Sequence, residues 1–210
     1  AILMGVASVL AGLRAELKGS VKFIFQPAEE MPPEGEDGGA KMMIAEGALE
    51  KPVPRAIFGL HVTSRLPLNV LGVRPGPTMA SSDKLKITVR GRQTHGAAPW
   101  AGVDPIVTAA QVVMGLQTIV SRGLEITREP AVVTIGTIRG GVRENIIPDS
   151  VEMRGTIRTF NEGMRDDIHE RVTTLAESVS RGSRAGCAVC INKRYPVTVN
   201  DPALTESIRP

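Results

Sequence analysis

The sequence predicts an α/β protein in two parts: a parallel α/β layer over residues 1–82, and a ferredoxin-like two-layer sandwich over 83–196. Residues 197–210 would lead back to the first part. Three observations carry this. A helical apolar stripe near the start is followed by a run apolar on both faces, the texture of a strand covered on two sides. At Asp83 the pattern changes to strict alternation of apolar and polar residues, the mark of a half-exposed antiparallel strand. From there the elements follow in the order β-α-β-β-α-β.

In the first part, Leu3, Val6, Leu10, Leu13 and Leu17 recur at helical spacing and predict a helix ending near Gly19. Val21 to Phe25 then reads as a buried strand, and a turn-rich stretch, Met31 to Gly39, separates it from a short helix over about Ala40 to Glu46. Ala56-Ile57-Phe58-Gly59-Leu60 reads as a second strand, ended by His61. In the second part, Leu85, Ile87 and Val89 alternate with Lys84, Lys86, Thr88 and Arg90. A helix is expected from Asp104 to Arg122, strands at Ala131–Ile138 and Val151–Thr159, a helix from Glu162 to Ser180 and a strand from Gly186 to Arg194.

The 210 residues carry 42% hydrophobic side chains, enough for a real core, and 25 Lys+Arg against 22 Asp+Glu. The charges alternate in sign along the chain, so no basic run argues for nucleic acid or a membrane surface. Aromatic residues make up 3%, too few for stacking on single-stranded nucleic acid. No apolar stretch is long enough to span a bilayer and Ala1 to Val6 lacks the pattern of a signal peptide. Cys187 and Cys190 lie on a strand, where that spacing puts them on opposite faces, so they read as two reduced thiols rather than a zinc knuckle or redox pair, which points to a cytoplasmic protein. The start at Ala1 and the end at Pro210 both fall within apparent helices, and the chain reads as a piece of something longer.

Glu29 and Glu30 follow the first apolar run directly, and His61 ends the second. At the carboxyl edge of one sheet, where open α/β folds keep their ligands, these three side chains would meet. Adjacent like charges repel, so an acid pair there has a cation or a proton to share. A carboxylate and an imidazole suit zinc or manganese, and a second carboxylate can take a proton from water. On spacing alone an exposed acidic turn is an equal alternative.

Four motifs in one order break that tie: Phe25-Gln26-Pro27-Ala28-Glu29-Glu30, Phe58-Gly59-Leu60-His61-Val62, Arg74-Pro75-Gly76-Pro77-Thr78-Met79-Ala80 and His95-Gly96-Ala97-Ala98-Pro99. Over nearly the whole chain the sequence resembles the M20 metallopeptidases, in particular their amidohydrolase branch of hippurate, N-acyl-amino-acid and auxin-conjugate hydrolases. The resemblance implies a metal-binding α/β catalytic domain interrupted by a ferredoxin-like lid through which the protein forms a homodimer. It assigns Glu29 as general base and Glu30 and His61 as metal ligands, zinc first, with manganese, cobalt or nickel open. His95 would steady the oxyanion of a partner subunit's reaction. Asn145 and Arg158 would hold the substrate carboxylate, and Arg158 lies on the polar side of its alternating strand. His169, in a charge-rich helix, reads as a surface residue.

The implied activity is metal-dependent hydrolysis of the amide bond of N-acyl amino acids. Relatives carry a Cys-Gly-His-Asp-x-His-Thr segment ahead of the helix that opens here, and a further histidine ligand near their end. The chain alone is therefore expected to be inactive. Gln93-Thr94 stand before His95 where small residues are usual, and Trp100 stands where a histidine is common. The stretch from Met31 to Asp37 would shape the acyl pocket. Rival readings are a peptidase or deacylase of another M20 branch, a non-catalytic dimerisation module and, weakest, a ferredoxin-like RNA binder.

Overall fold

The computed structural model describes residues 1–30 and 39–208, and these divide into two compact units, 1–65 and 66–210. The stretch from Met31 to Asp37 lies outside the described residues.

The first unit contains two helices, α1 (Ile2–Gly12) and α2 (Gly39–Ala45). Helix α1 stops at Gly12, short of the expected Gly19, and none of its residues is buried. It has no side-chain N-cap, and its apolar stripe is left partly open, with Leu3 40% and Val6 42% exposed. Short helices owe most of their stability to such a face being packed, which accounts for the early end. The strands expected at Val21–Phe25 and Ala56–His61 do not form. A strand exists through its hydrogen-bonded neighbours, and among the described residues nothing pairs with either segment. Phe23 and Ile24 are half-buried, whereas Phe58 and Leu60 are more than 60% exposed.

The second unit begins before the boundary expected at Asp83, because β1 (Gly76–Met79) pairs antiparallel with the late strand β8 (Thr198–Asn200). Between them run β2 (Ser82–Arg90), the two-residue β3 (Thr94–His95), α3 (Pro105–Gly123), β4 (Ala131–Gly140) and β5 (Ile146–Ile147). After these come β6 (Ser150–Thr159), α4 (Glu162–Gly182) and β7 (Gly186–Tyr195). The long strands form one four-stranded antiparallel sheet in the order β4-β6-β2-β7. Their connections follow β-α-β-β-α-β.

One face of this sheet carries the core. Leu85, Ile87 and Val89 of β2 and Val151, Met153 and Ile157 of β6 pack with Val112 and Leu116 of α3 and Ile168 and Val172 of α4, all nearly inaccessible. Both helices start on a side chain that answers otherwise unpaired amides. Asp104 accepts from Ile106 N–H at 2.8 Å and Val107 N–H at 3.2 Å, and Asn161 accepts from Met164 N–H at 2.9 Å. After β8, Asp201 caps the short helix α5 (Pro202–Ser207) in the same way. Among the described residues no helix is long and apolar enough to cross a membrane.

Candidate functional site

In the first unit Glu29 and Glu30 lie side by side on an exposed turn, entered through Ala28 in a left-handed conformation with φ 48°. His61 is also exposed, and its Nδ1 lies 2.7 Å from the carbonyl oxygen of Val62. A carbonyl only accepts, so Nδ1 carries the hydrogen and, in the neutral ring, Nε2 presents a free lone pair. That is how a metal-binding histidine is usually held, by one ring N–H fixed on a carbonyl or carboxylate.

The expected convergence of the acid pair with His61 rested on two strands that do not form. Among the described residues no group of three or more His, Cys, Asp and Glu side chains is placed to hold a metal ion. Glu30 and His61 are donors of the right kind, but two fall short of the three protein ligands a catalytic zinc requires. The residues present therefore do not by themselves fit a metal centre.

In the second unit the structure brings His95 and Asn145 together. Strand β3 pairs with β5 so that His95 faces Ile146, and Gly96 N–H donates to the carbonyl of Asn145 at 2.8 Å. A side chain at Gly96 would meet that carbonyl at 3.2 Å, so glycine permits the close approach. Ala97 N–H donates to His95 Nδ1 at 3.0 Å. Here Nδ1 is the acceptor, the ring hydrogen sits on Nε2, and the exposed edge offers a donor. His61 and His95 are thus held in opposite tautomers, one presenting a lone pair and the other an N–H.

Arg158 sits half-buried on β6, opposite Val132, on the sheet face away from the helices. Its Nη1 donates to the Ile157 carbonyl at 3.1 Å, which leaves most of its fork uncommitted among the described residues. On the same face Glu152 takes hydrogen bonds from Lys86 and Arg154, both at 2.7 Å, and these hold its carboxyl down to about 2.

His169 is not a surface residue: its side chain is 12% exposed, and Nε2 lies 2.8 Å from Asp83 Oδ2. Asp83 is fully buried and is also gripped by Arg165 through two bonds, at 2.9 and 2.5 Å. Burial, the largest influence, pushes the Asp83 carboxyl up, but the bonds and charges of Arg165 and His169 outweigh it and hold it below the usual range. Arg165 also bonds Glu162 at 2.8 Å, and Glu162 accepts from Val197 N–H. The signal for this cluster was in the sequence: Asp83 shares the parity of Leu85, Ile87 and Val89, and Arg165 and His169 are one helical turn apart.

Residues 1–209 match the family model described as Peptidase family M20/M25/M40. The chain belongs to that family. Among curated relatives, this M20-family chain is 41% identical over 182 residues to the N-acetylcysteine deacetylase of Bacillus subtilis, covering 87% of the chain and 46% of that protein. It is 37% identical over 209 residues to thermostable carboxypeptidase 2 of Saccharolobus solfataricus, covering 99% and 52%. Among solved structures, a Bacillus subtilis protein described as a dinuclear metal binding peptidase of the M20 family superposes with a TM-score of 0.75 at 35% identity, over 98% of this chain and 49% of that one. The M20-family chain spans about half the length of the curated relatives it matches.

Proposed function

We propose that the complete polypeptide bearing these residues is a divalent-metal-dependent amidohydrolase that cleaves the amide bond of N-acyl amino acids. The observation that carries the reading is the opposed tautomers of His61 and His95, on the motifs where the M20 resemblance calls for an acceptor and a donor. Glu29 acts as the general base, taking a proton from water and returning it to the leaving amine. Nε2–H of His95 donates to the oxyanion that develops at the attacked carbonyl. Arg158 holds the carboxylate of the amino acid as a fork, and Asn145, which lies beyond the opposite end of β6, would reach the same carboxylate from the partner subunit together with His95.

Glu30 and His61 would hold the metal, zinc in the first instance, together with further ligands that the described residues do not supply, and the ion would supply Lewis-acid activation of the water and the carbonyl. The second unit is read as a ferredoxin-like lid, supported by its β-α-β-β-α-β connectivity and strand order. As in the resembled family, a homodimer through this lid would supply His95 to a partner's site. The 210 residues alone, with two metal donors, are proposed to be inactive.

A second reading, hydrolysis of peptides from the carboxyl end, is favoured by the likeness to the carboxypeptidase. Both are tested by assaying the complete polypeptide on N-acetyl amino acids, hippurate and dipeptides, before and after chelation and with zinc restored. Turnover of N-acyl amino acids that chelation abolishes and zinc restores is expected. Turnover unchanged by thorough chelation contradicts the metal dependence, and cleavage of dipeptides alone favours the second reading.

A further inference from the structure

The open face of the four-stranded sheet gathers six cations, Lys84, Lys86, Arg90, Arg139, Arg154 and Arg158, against the single carboxylate of Glu152. In the sequence these residues are spaced by alternation or lie on different strands, so no basic run announces them. Register divides them into two groups: Lys86, Arg154, Arg139 and Arg90 lie around Glu152, with Arg139 directly opposite it, and Lys84 and Arg158 lie apart from it. Lys86 lies directly opposite Arg154, a like-charge pairing that destabilises a sheet unless something relieves it, and Glu152 bonds both. Lys84 and Arg158 are the second pair. Lys84 lies opposite Thr156, so Arg158 is its diagonal neighbour, at about 7–8 Å. Among the described residues no carboxylate bonds either of them, and Lys84 is exposed. Half-buried Thr156 lies between them, with Thr134 opposite it on β4, and both can offer a hydroxyl.

The protein supplies an acid amid the first group of cations on this face and none for the Lys84–Arg158 pair. We propose that the second pair receives its carboxylates from the substrate, and that Lys84 selects N-acyl amino acids with an acidic side chain, such as N-acyl glutamate. This rests on the reading of Arg158 as the group that holds the substrate's α-carboxylate. A guanidinium fork is satisfied by one carboxylate bound through both oxygens, whereas an ammonium acts as a separate point charge. Arg158 therefore takes the α-carboxylate and Lys84 the side-chain carboxylate, with Thr156 within the same patch. Lys84 moves no proton in the reaction. It is a specificity residue.

The test compares N-acetyl-L-glutamate with its neutral isostere N-acetyl-L-glutamine on the zinc-loaded complete polypeptide, as wild type, Lys84→Met and Lys84→Arg. Wild type is expected to favour the glutamate substrate by about tenfold in kcat/KM, the size of one hydrogen bond to a charged group. Lys84→Met is expected to lose about tenfold on the glutamate substrate and less than about twofold on the glutamine one. Lys84→Arg should keep the preference, and raised salt should shrink it in wild type, because the site is exposed. No preference in wild type, or equal losses on both substrates in Lys84→Met, overturns the inference while leaving the hydrolase reading intact. Failure of wild type to hydrolyse any N-acyl amino acid overturns both.

Discussion

At the level of single residues, His61 in a loop and His95 at the end of β3 carry opposite hydrogen-bonding roles because a different backbone group holds each Nδ1. The Val62 carbonyl makes His61 a donor at Nδ1, and the Ala97 amide makes His95 an acceptor there. Replacing His95 by Ala in the complete enzyme is expected to lower kcat by about 10²–10³ with little change in KM, as for loss of one oxyanion donor. A kcat within a fewfold of wild type would remove His95 from that role. The two thiols give a simpler check. Cys190 is exposed on the open sheet face, whereas Cys187 is half-buried toward the helices and burial raises its pKa. A thiol reagent at neutral pH should label Cys190 first, and equal rates would contradict the register of β7. These residues were legible in the sequence as motif members, but which ring nitrogen faces outward was not, because it depends on backbone groups placed by the fold.

At the scale of elements, the long pieces of the second unit were readable almost to the residue. Helix α3 and the strands β6 and β7 depart from expectation by a residue at an end, because alternation and capping residues such as Asp104 and Asn161 mark them locally. The short pairings β1 with β8 and β3 with β5 were not legible, since two to four residues carry no period and their partners lie far along the chain or across a loop. His169 was misjudged for a related reason. Its partner Asp83 is 86 residues away, and only the docking of α4 on β2 brings them together.

This cluster ties the start of β2 to the start of α4, and Arg194 N–H adds a 3.3 Å contact to Asp83 from the end of β7. Asp83→Asn would leave buried Arg165 with only the half-exposed Glu162 as counter-charge and is expected to destabilise the protein by about 3 kcal/mol in urea unfolding, the low end for a broken buried pair. The Asp83 pKa is depressed by folding, so its contribution is complete above the unfolded value, 3.8, and is lost as pH falls through the lower folded value. The gap between wild type and Asp83→Asn should therefore be constant near neutrality and narrow only below about pH 4. A gap that already closes near neutrality would contradict the assignment to the Asp83 carboxylate.

At the scale of the whole molecule, the two units differ in how completely they satisfy themselves. The second has a closed core between two helices and one sheet face. Among its described residues the first has two strand-like segments that pair with nothing and a helix without a buried residue, although its sequence reads as clearly as the second's. Periodicity shows which residues want covering, and only the neighbours decide whether a strand exists. Hydrogen exchange on the 210-residue chain should show this directly, with β2 and β6 amides protected toward the global limit and those of Ile2–Gly12 and Val21–Phe25 exchanging nearly freely. Equal protection in both units would contradict the division.

Glu29 is proposed as the base of an amide hydrolysis, beside Glu30 as the proposed metal ligand. The most direct measurement is kcat of the zinc-loaded complete polypeptide on an N-acetyl amino acid for wild type and Glu29→Gln, with metal content and circular dichroism matched. The account predicts a loss of about 10²–10⁴ in kcat with fold and metal retained. A Glu29→Gln enzyme within about threefold of wild type would show that the proton moves by another route, and the assignment would be wrong.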